Sequence, residues 1–423
     1  MVQEMRKMKD SGIEWIGEIP EGWEIKRLGA ILQERNEVNN PIQTTSILSL
    51  TNNRGVIPYS EKGNQGNKAK DDLTGYKIAH IGDIVLNSMN VIIGSVGLSN
   101  YYGAVSPVYY MLFPRNNIET NIQYYNYLFQ TTAFQQSLRG YGNGILEIRM
   151  RIQMQKLKTV LLPVPTFLEQ SNITVYLDAS LSKLNILLFK TRSSIEEYKK
   201  LKQAVIAQAV TKGLRGNRET KDSKIEWLGQ IPKEWKCQKL KYTIFPQNRP
   251  VFSTDEIITC FRDGIVTLRK NRREDGFTVS FTEHGYQGVE IGDLVIHGMD
   301  AFAGAIGCSD SRGKTTPVVH VCTTTGNNRF FMFFLRYMAY SNIFMDFSNG
   351  IRIRSSDFRN FTKLGIFDVL VPPIAEQKEI ADFLDAKCAE IDGLVAKKEQ
   401  LVKELESYKK SLIYEVVTGK REV

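Results

Sequence analysis

Lys221-Asp222-Ser223-Lys224-Ile225-Glu226-Trp227-Leu228-Gly229-Gln230-Ile231-Pro232-Lys233-Glu234-Trp235-Lys236-Cys237-Gln238-Lys239-Leu240 restates a stretch met near the start of the chain. There Lys9-Asp10-Ser11 leads through Ile13-Glu14-Trp15 to Gly17, Ile19-Pro20, Trp23 and Leu28. The offset is constant, since 221 − 9 and 240 − 28 both give 212. The two copies hold all four tryptophans of the sequence. An internal repeat decides architecture before any single element does, so residues 221–240 mark where the first half begins again. In each copy two Trp flank an Ile-Pro turn. Trp brings a large buried area and Pro fixes the turn, which predicts a hydrophobic clasp rather than a surface for stacking on a base.

Outward from these anchors the two halves share a grammar. Ile81-Gly82-Asp83-Ile84-Val85 returns as Ile291-Gly292-Asp293-Leu294-Val295, and Ser106-Pro107-Val108 as Thr316-Pro317-Val318, both at an offset of 210 (291 − 81, 316 − 106). Met89, Gly94 and Gly97 return as Met299, Gly304 and Gly307. Asn143-Gly144-Ile145 returns as Asn349-Gly350-Ile351. Short apolar runs at 47–50, 84–86 and 108–112, bounded by Gly, Asn and Pro, predict strands. The aromatic spacing over 122–138 predicts one helix, broken by the glycines at 140–144. Residues 52–77 bear little resemblance to 261–287, so a common scaffold carries two different surfaces.

Each half closes with a Pro-containing exit, Leu161-Leu162-Pro163-Val164-Pro165 or Val369-Leu370-Val371-Pro372-Pro373, and then a long helical run. Leu177, Leu181, Leu184, Leu188, Thr191, Ile195, Tyr198, Leu201 and Val205 recur at steps of three and four. Leu384, Cys388, Ile391, Leu394, Lys398, Leu401, Leu405, Tyr408 and Leu412 do the same. That is close to a heptad seam with charged flanks. Helices of about 45 residues extend roughly 65–70 Å at 1.5 Å per residue. They far outrun an ordinary globular helix, so the two seams are expected to pair with each other as a spacer. If they pair about their midpoints, residues 195–201 face residues 388–394.

The chain has 423 residues, 42% hydrophobic and 24% charged, which allows two domains with cores of their own. No apolar run is long enough for a membrane span and no secretory signal is visible. The five cysteines all lie in the second half without a C-x-x-C pair, as expected of a reduced, cytoplasmic protein. The net charge of +9 favours a polyanionic partner.

Catalytic and metal motifs are missing from the sequence. The four histidines, His80, His284, His297 and His320, lack metal-ligand spacing. Gly307 to Thr315 imitates a phosphate loop, but five residues separate its glycines where four are needed. There is no nucleophile elbow or dinucleotide fingerprint, nor an Asn-Pro-Pro-Tyr-type tetrapeptide. Asp83 and Asp293 follow Gly in a turn, where a capping role suffices. Basic residues on predicted loops remain. The candidates for DNA contact are Arg54, Lys62, Lys68, Lys70 and Arg139 in the first half, and Arg262, Arg269, Lys270, Arg272, Arg273, Arg312 and Lys314 in the second. Lys77, Arg149, Arg151, Arg352 and Arg354 accompany them. Arg and Lys neutralise phosphates or read guanine edges, and neighbouring Asn and Gln read adenine. A non-catalytic protein–protein scaffold, two β-rich modules on a coiled coil, is the alternative reading.

In this order and twice over, the Trp-x-Gly-x-Ile-Pro-x-x-Trp opening, the Ile-Gly-Asp-(Ile/Leu)-Val strand, the Asn-Gly-Ile turn and the Pro exit resemble the specificity subunit of type I restriction–modification systems. So do the sequels Glu169-Gln170-x-x-Ile173 and Glu376-Gln377-x-x-Ile380. The first exit carries one additional residue before Glu169, and residues 218–224 make a hydrophilic joint. The resemblance implies an α+β fold with two β-rich target-recognition domains, 1–165 and 214–373. Two long helices, 166–213 and 374–423, would form an antiparallel coiled coil. Each domain would read one half of a bipartite, asymmetric site in double-stranded DNA, and the helices would set the gap and dock methyltransferase subunits. This chain would bind no cofactor of its own. S-adenosylmethionine, Mg and ATP would belong to the methyltransferase and restriction subunits.

Overall fold

A computed structural model describes residues 6–52, 54–63, 68–143, 151–272, 283–346 and 358–423. Helices and strands are both abundant, as in an α+β fold. The chain divides into two compact units, residues 1–191 with 400–423, and residues 192–399.

In the first unit a four-stranded antiparallel sheet has the order Leu32–Arg35, Tyr109–Pro114, Ile84–Asn87, Val96–Leu98. Strand Ile84–Asn87 is buried on both faces, which is why it reads as an unbroken apolar run instead of an alternation. Ile84 and Leu86 enter the main core with Trp23, Tyr124, Tyr125, Phe129 and Phe134. Val85 faces the other way, into a smaller cluster with Leu48, Leu50, Val56 and Met111. That smaller cluster lies under the hairpin Leu48–Thr51/Gly55–Pro58.

The second unit repeats this layout. Its sheet has the order Ile244–Pro246, Val319–Thr324, Leu294–His297, Ile306–Cys308. Leu294 and Ile296 join Trp235, Phe330, Phe331 and Phe334. Val295 points to Ile258, Cys260 and Val266, under the hairpin Ile258–Cys260/Val266–Leu268. Gly97 and Gly307 are glycines because this hairpin crosses directly over them. A Cβ on Gly97 would stand 2.9 Å from the Gly55 Cα, and one on Gly307 2.7 Å from the Val266 Cγ2.

The repeated tryptophan stretch does its work at the start of each long helix, Phe167–Lys212 and Ile374–Val417. Trp23 and Trp235 are almost wholly buried, and their indole N–H groups donate to Glu169 (3.2 Å) and Glu376 (2.9 Å). Arg6 and Arg218, 212 apart like the tryptophans, ion-pair with the same two carboxylates. Burial pushes the Glu169 carboxyl up, but hydrogen bonds from Trp23, Thr166 and Arg6 outweigh it and hold the group below its ordinary value. Thr166 and Glu169 also bond each other's backbone N–H, a capping box that starts the helix.

The following glutamines are clamps. The Gln170 amide accepts from Asn121 N (2.8 Å) and donates to Pro165 O (2.9 Å); Gln377 accepts from Asn327 N (2.8 Å) and donates to Pro372 O (2.8 Å). Asn121 and Asn327 are N-caps, so each clamp joins exit, long helix and aromatic helix in one bond network.

Four expectations need correction. The helix predicted over 122–138 is two, Ile122–Gln130 and Thr132–Ser137. The Thr131 hydroxyl donates to Leu128 O and accepts from Phe134 N, ending one helix and capping the next. The second long helix ends at Val417, short of the expected 423, because Gly419 turns into the left-handed region just beyond it (φ +73), while Trp227 packs on Phe334 and Tyr337 of helix Asn328–Tyr340. The predicted seam is sound near the helix ends, but Leu201, Leu401 and Tyr408 are exposed. The register also differs from pairing at the midpoints. Lys202 binds Asp392 (2.6 Å), Lys199 lies 4.0 Å from Glu399, and Lys398 sits over the Tyr198 ring. Residues 195–201 therefore face the turn around Lys398, about one heptad beyond 388–394.

Candidate nucleic-acid interface

Each unit carries an open cleft where its hairpin meets the sheet. In the first unit the cleft is about 630 Å³ and takes its floor from Ile47–Leu50 and its walls from Tyr59, Lys62, Lys68, Asn87 and Asn90. Tyr59 stands on the turn Tyr59–Glu61 that follows the hairpin. Its hydroxyl accepts from Ala69 N (3.0 Å), and that of Tyr76 from Lys70 N (3.1 Å), which seats the basic segment on the rim. The Lys62 ammonium lies 5.1 Å from the Tyr59 ring. Ser95 donates to Asn52 Oδ1 (2.6 Å), tying the hairpin turn to the loop beyond Ile84–Asn87.

The cleft of the second unit, about 750 Å³, is lined by Arg262, Asp263, Arg269, Arg272, His297 and Asp300 over a floor of Ile258–Cys260. Arg262 pairs with Asp300 (2.9 Å) and Arg272 with Asp263 (2.5 Å), the Arg272 guanidinium lying 4.3 Å from the Phe261 ring. Arg269 Nε donates to Thr259 Oγ1 (3.2 Å). The Cys260 thiol is pushed well up by burial, so no thiolate nucleophile stands there at neutral pH.

The linings correspond position by position. Asn52, Tyr59, Lys62, Asn87 and Asn90 stand where Arg262, Arg269, Arg272, His297 and Asp300 stand, each pair 210 apart (262 − 52, 297 − 87). The scaffold therefore runs on, ungapped, beneath the segment in which the two sequences lose all likeness. One cleft is mostly amide, hydroxyl and ammonium; the other is guanidinium and carboxylate.

A model of the type I restriction modification DNA specificity domain matches residues 20–197. The putative type I restriction enzyme MjaX specificity subunit of Methanocaldococcus jannaschii is 26% identical, over 96% of this chain and 95% of its own. The MjaVIII specificity subunit of the same organism is 24% identical over 95% and 93%. Among solved structures, a chain from a study of complex assembly and conformational transition of the type I R-M system is similar in fold (TM-score 0.68, 13% identity). That match covers 95% of this chain and 99% of the other. The HsdS subunit from Thermoanaerobacter tengcongensis matches at TM-score 0.53 and 14% identity, covering 95% and 98%. Over nearly its whole length the chain is similar to type I restriction–modification specificity subunits.

In this chain the basic residues singled out from sequence are spread unevenly. Lys62, Lys68, Arg262, Arg269 and Arg272 line the clefts. Lys70 is exposed beside the first cleft, Arg54 is paired with Glu61 (2.5 Å) at the hairpin, and Lys270 is paired with Glu256 (2.6 Å). Arg139 is exposed on the turn Leu138–Tyr141, outside the cleft lining. Arg312 is held by Asp255 (3.2 Å) and Glu290 over the Phe252 ring, and Lys314 by Glu283 (2.7 Å). Lys77 reaches Glu34, and Arg151 is exposed on the strand Arg151–Ile152. Arg273, Arg149, Arg352 and Arg354 lie outside the described residues, as do Gly144-Ile145 and Asn349-Gly350-Ile351.

Sequence reasoning missed two groups. Asp83 and Asp293 do accept from backbone N–H groups (His80 and Glu290), but each also holds an arginine, Arg35 (2.9 Å) and Arg249 (3.1 Å). Asn87 and His297 were passed over because they share no residue type; the constant offset was the signal that pairs them. Among the described residues no group of three or more His, Cys, Asp or Glu side chains gathers as a metal site, and no helix is long and apolar enough to cross a membrane.

Proposed function

We propose that this chain is a type I restriction–modification specificity subunit that recognises duplex DNA through its two clefts, each unit reading one half of a bipartite, asymmetric sequence. The observation that carries this reading is the pair of clefts: one scaffold, position-matched linings, unrelated side chains. Two such surfaces suit two unrelated half-sites, and basic rims suit phosphates. The domains assigned are 1–165 and 214–373. The helices 166–213 and 374–423 pair as an antiparallel coiled coil that sets the gap and docks methyltransferase subunits, with restriction subunits joining that core. The antiparallel contacts Lys202–Asp392 and Lys409–Asn185, one within each unit, support the pairing.

The chain itself is non-catalytic in this scheme. Asp83, Asp293, Glu169 and Glu376 bond arginines, indoles or backbone N–H groups, a structural use that accords with it, and S-adenosylmethionine, Mg and ATP are assigned to the partner subunits. The test is to map methylated bases across the genome with and without this protein, and to measure duplex binding by the assembled methyltransferase at several salt concentrations. One bipartite motif should vanish with the protein, and affinity should fall steeply as salt rises. No motif, no footprint and no salt dependence would favour the protein–protein scaffold.

A further inference from the structure

Asn87 and His297 end the equivalent strands Ile84–Asn87 and Leu294–His297, and each lines the cleft of its unit. Both side chains turn an acceptor back onto their own loop. Asn87 Oδ1 accepts from Met89 N (3.0 Å). His297 Nδ1 accepts from Asp300 N (3.1 Å) and, more weakly, from Met299 N (3.3 Å). These bonds assign which end of the amide and which nitrogen of the imidazole carries hydrogen. Only a carbonyl oxygen accepts, so the Asn87 NH₂ group is the free end. Only an unprotonated ring nitrogen accepts, so the His297 proton sits on Nε2. Burial, reinforced by Arg262 and His320 and opposed by Asp300, lowers the His297 pKa and keeps the ring neutral. Among the described residues neither Asn87 Nδ2 nor His297 Nε2 has a hydrogen-bond partner. Asn87, 8% exposed, and His297, its side chain 23% exposed, each have the acceptor spent and the donor unspent, and so are built to donate to something entering the cleft.

We propose that Asn87 and His297 are matched specificity-determining donors, each giving one N–H to an acceptor on a base edge of its own half-site. This rests on the recognition function proposed above and sharpens it. Because the acceptor atoms are committed to backbone, neither residue makes the two-point contact by which a free Asn reads adenine N6 and N7. What remains is an acceptor read singly: guanine O6 or N7, adenine N7 or thymine O4 in the major groove. The two halves of the chain thus use one backbone device with two different side chains, an amide with two hydrogens and an imidazole with one.

Asn87→Asp keeps the Oδ1 cap and replaces the donor with an acceptor. His297→Asn keeps an acceptor for the cap and draws the donor back from the cleft. The full chain, assembled with its methyltransferase subunits, is assayed by methylation mapping and by binding to duplexes substituted at each base pair of both half-sites. Asn87→Asp should lose about tenfold on the natural site and alter the preference at one base pair of one half-site only. His297→Asn should do so in the other half-site only. An unchanged motif overturns the proposal, and so does a loss spread evenly over every duplex, which would mark the two residues as loop supports. If the unaltered assembly itself gives no bipartite motif, the recognition function has failed, and this inference with it.

Discussion

Gln170 and Gln377 show how much a single amide holds. Each joins an exit proline carbonyl to the N-cap of an aromatic helix, at almost zero exposure. Gln377→Glu replaces a donor with an acceptor against Pro372 O and is expected to cost ~2–4 kcal/mol, since a buried acceptor pair is left unmatched. Thermal unfolding of the variant checks it; an unchanged midpoint would remove the clamp role. At this scale the sequence was half legible. The Glu-Gln pair stood out by repetition, but its partners Trp, Arg and Asn lie 50 to 160 positions away, and no local pattern joins them. The clefts were less legible still. Asn87 and His297 do the same work with different atoms, and likeness of residue type is what repetition reveals. Among the loop cations, ion-pairing did not decide placement: Arg262 and Arg272 line the cleft while paired with Asp300 and Asp263, whereas Arg312 and Lys314 are paired outside it.

At the scale of elements, the expected bounds met the first long helix, Phe167–Lys212, within one residue and the second, Ile374–Val417, at its start, while its end fell short of 423. Apolar spacing misjudged their mutual register, because a seam of period three and four slides by one heptad without changing its look. Lys202–Asp392 and Tyr198–Lys398 fix the register through charges and a ring, which the apolar pattern omits. The matched shortening is therefore residues 195–201 together with 395–401. Its removal is expected to change the gap between half-sites while both half-site sequences persist, as read by methylation mapping. A complex that still methylates with the old gap would sink the spacer role. The helix broken at Thr131 teaches the same lesson: aromatic spacing ran through it, while one hydroxyl bonded to two backbone groups did not allow the helix to continue.

At the scale of the whole molecule, duplication was the most legible feature, and it predicts modular behaviour. Exchanging residues 39–160 for the corresponding segment of a relative with another target should change one half-site and leave the other intact. Sequencing of methylated DNA decides it, and a change in both halves would rule the modules out. The offset of 210 across both cleft linings supports clean exchange, because the segment that differs sits on strands that do not.

The first unit is assembled from both ends of the chain. Leu412, Ile413, Val416 and Val417 fill its core, Tyr124 donates to Val417 O (2.8 Å), and the turn at Gly419 covers Trp23. The second unit is one uninterrupted run, 192–399. During synthesis, then, residues 6–191 precede the helical turns that complete their core, and Trp23 and Tyr124 wait uncovered until residues 412–417 have been made. A chain stopped at residue 399 should keep a protease-resistant 192–399 core and lose 6–191 to rapid digestion. An undigested first unit in that truncated chain would show that it closes without its C-terminal turns.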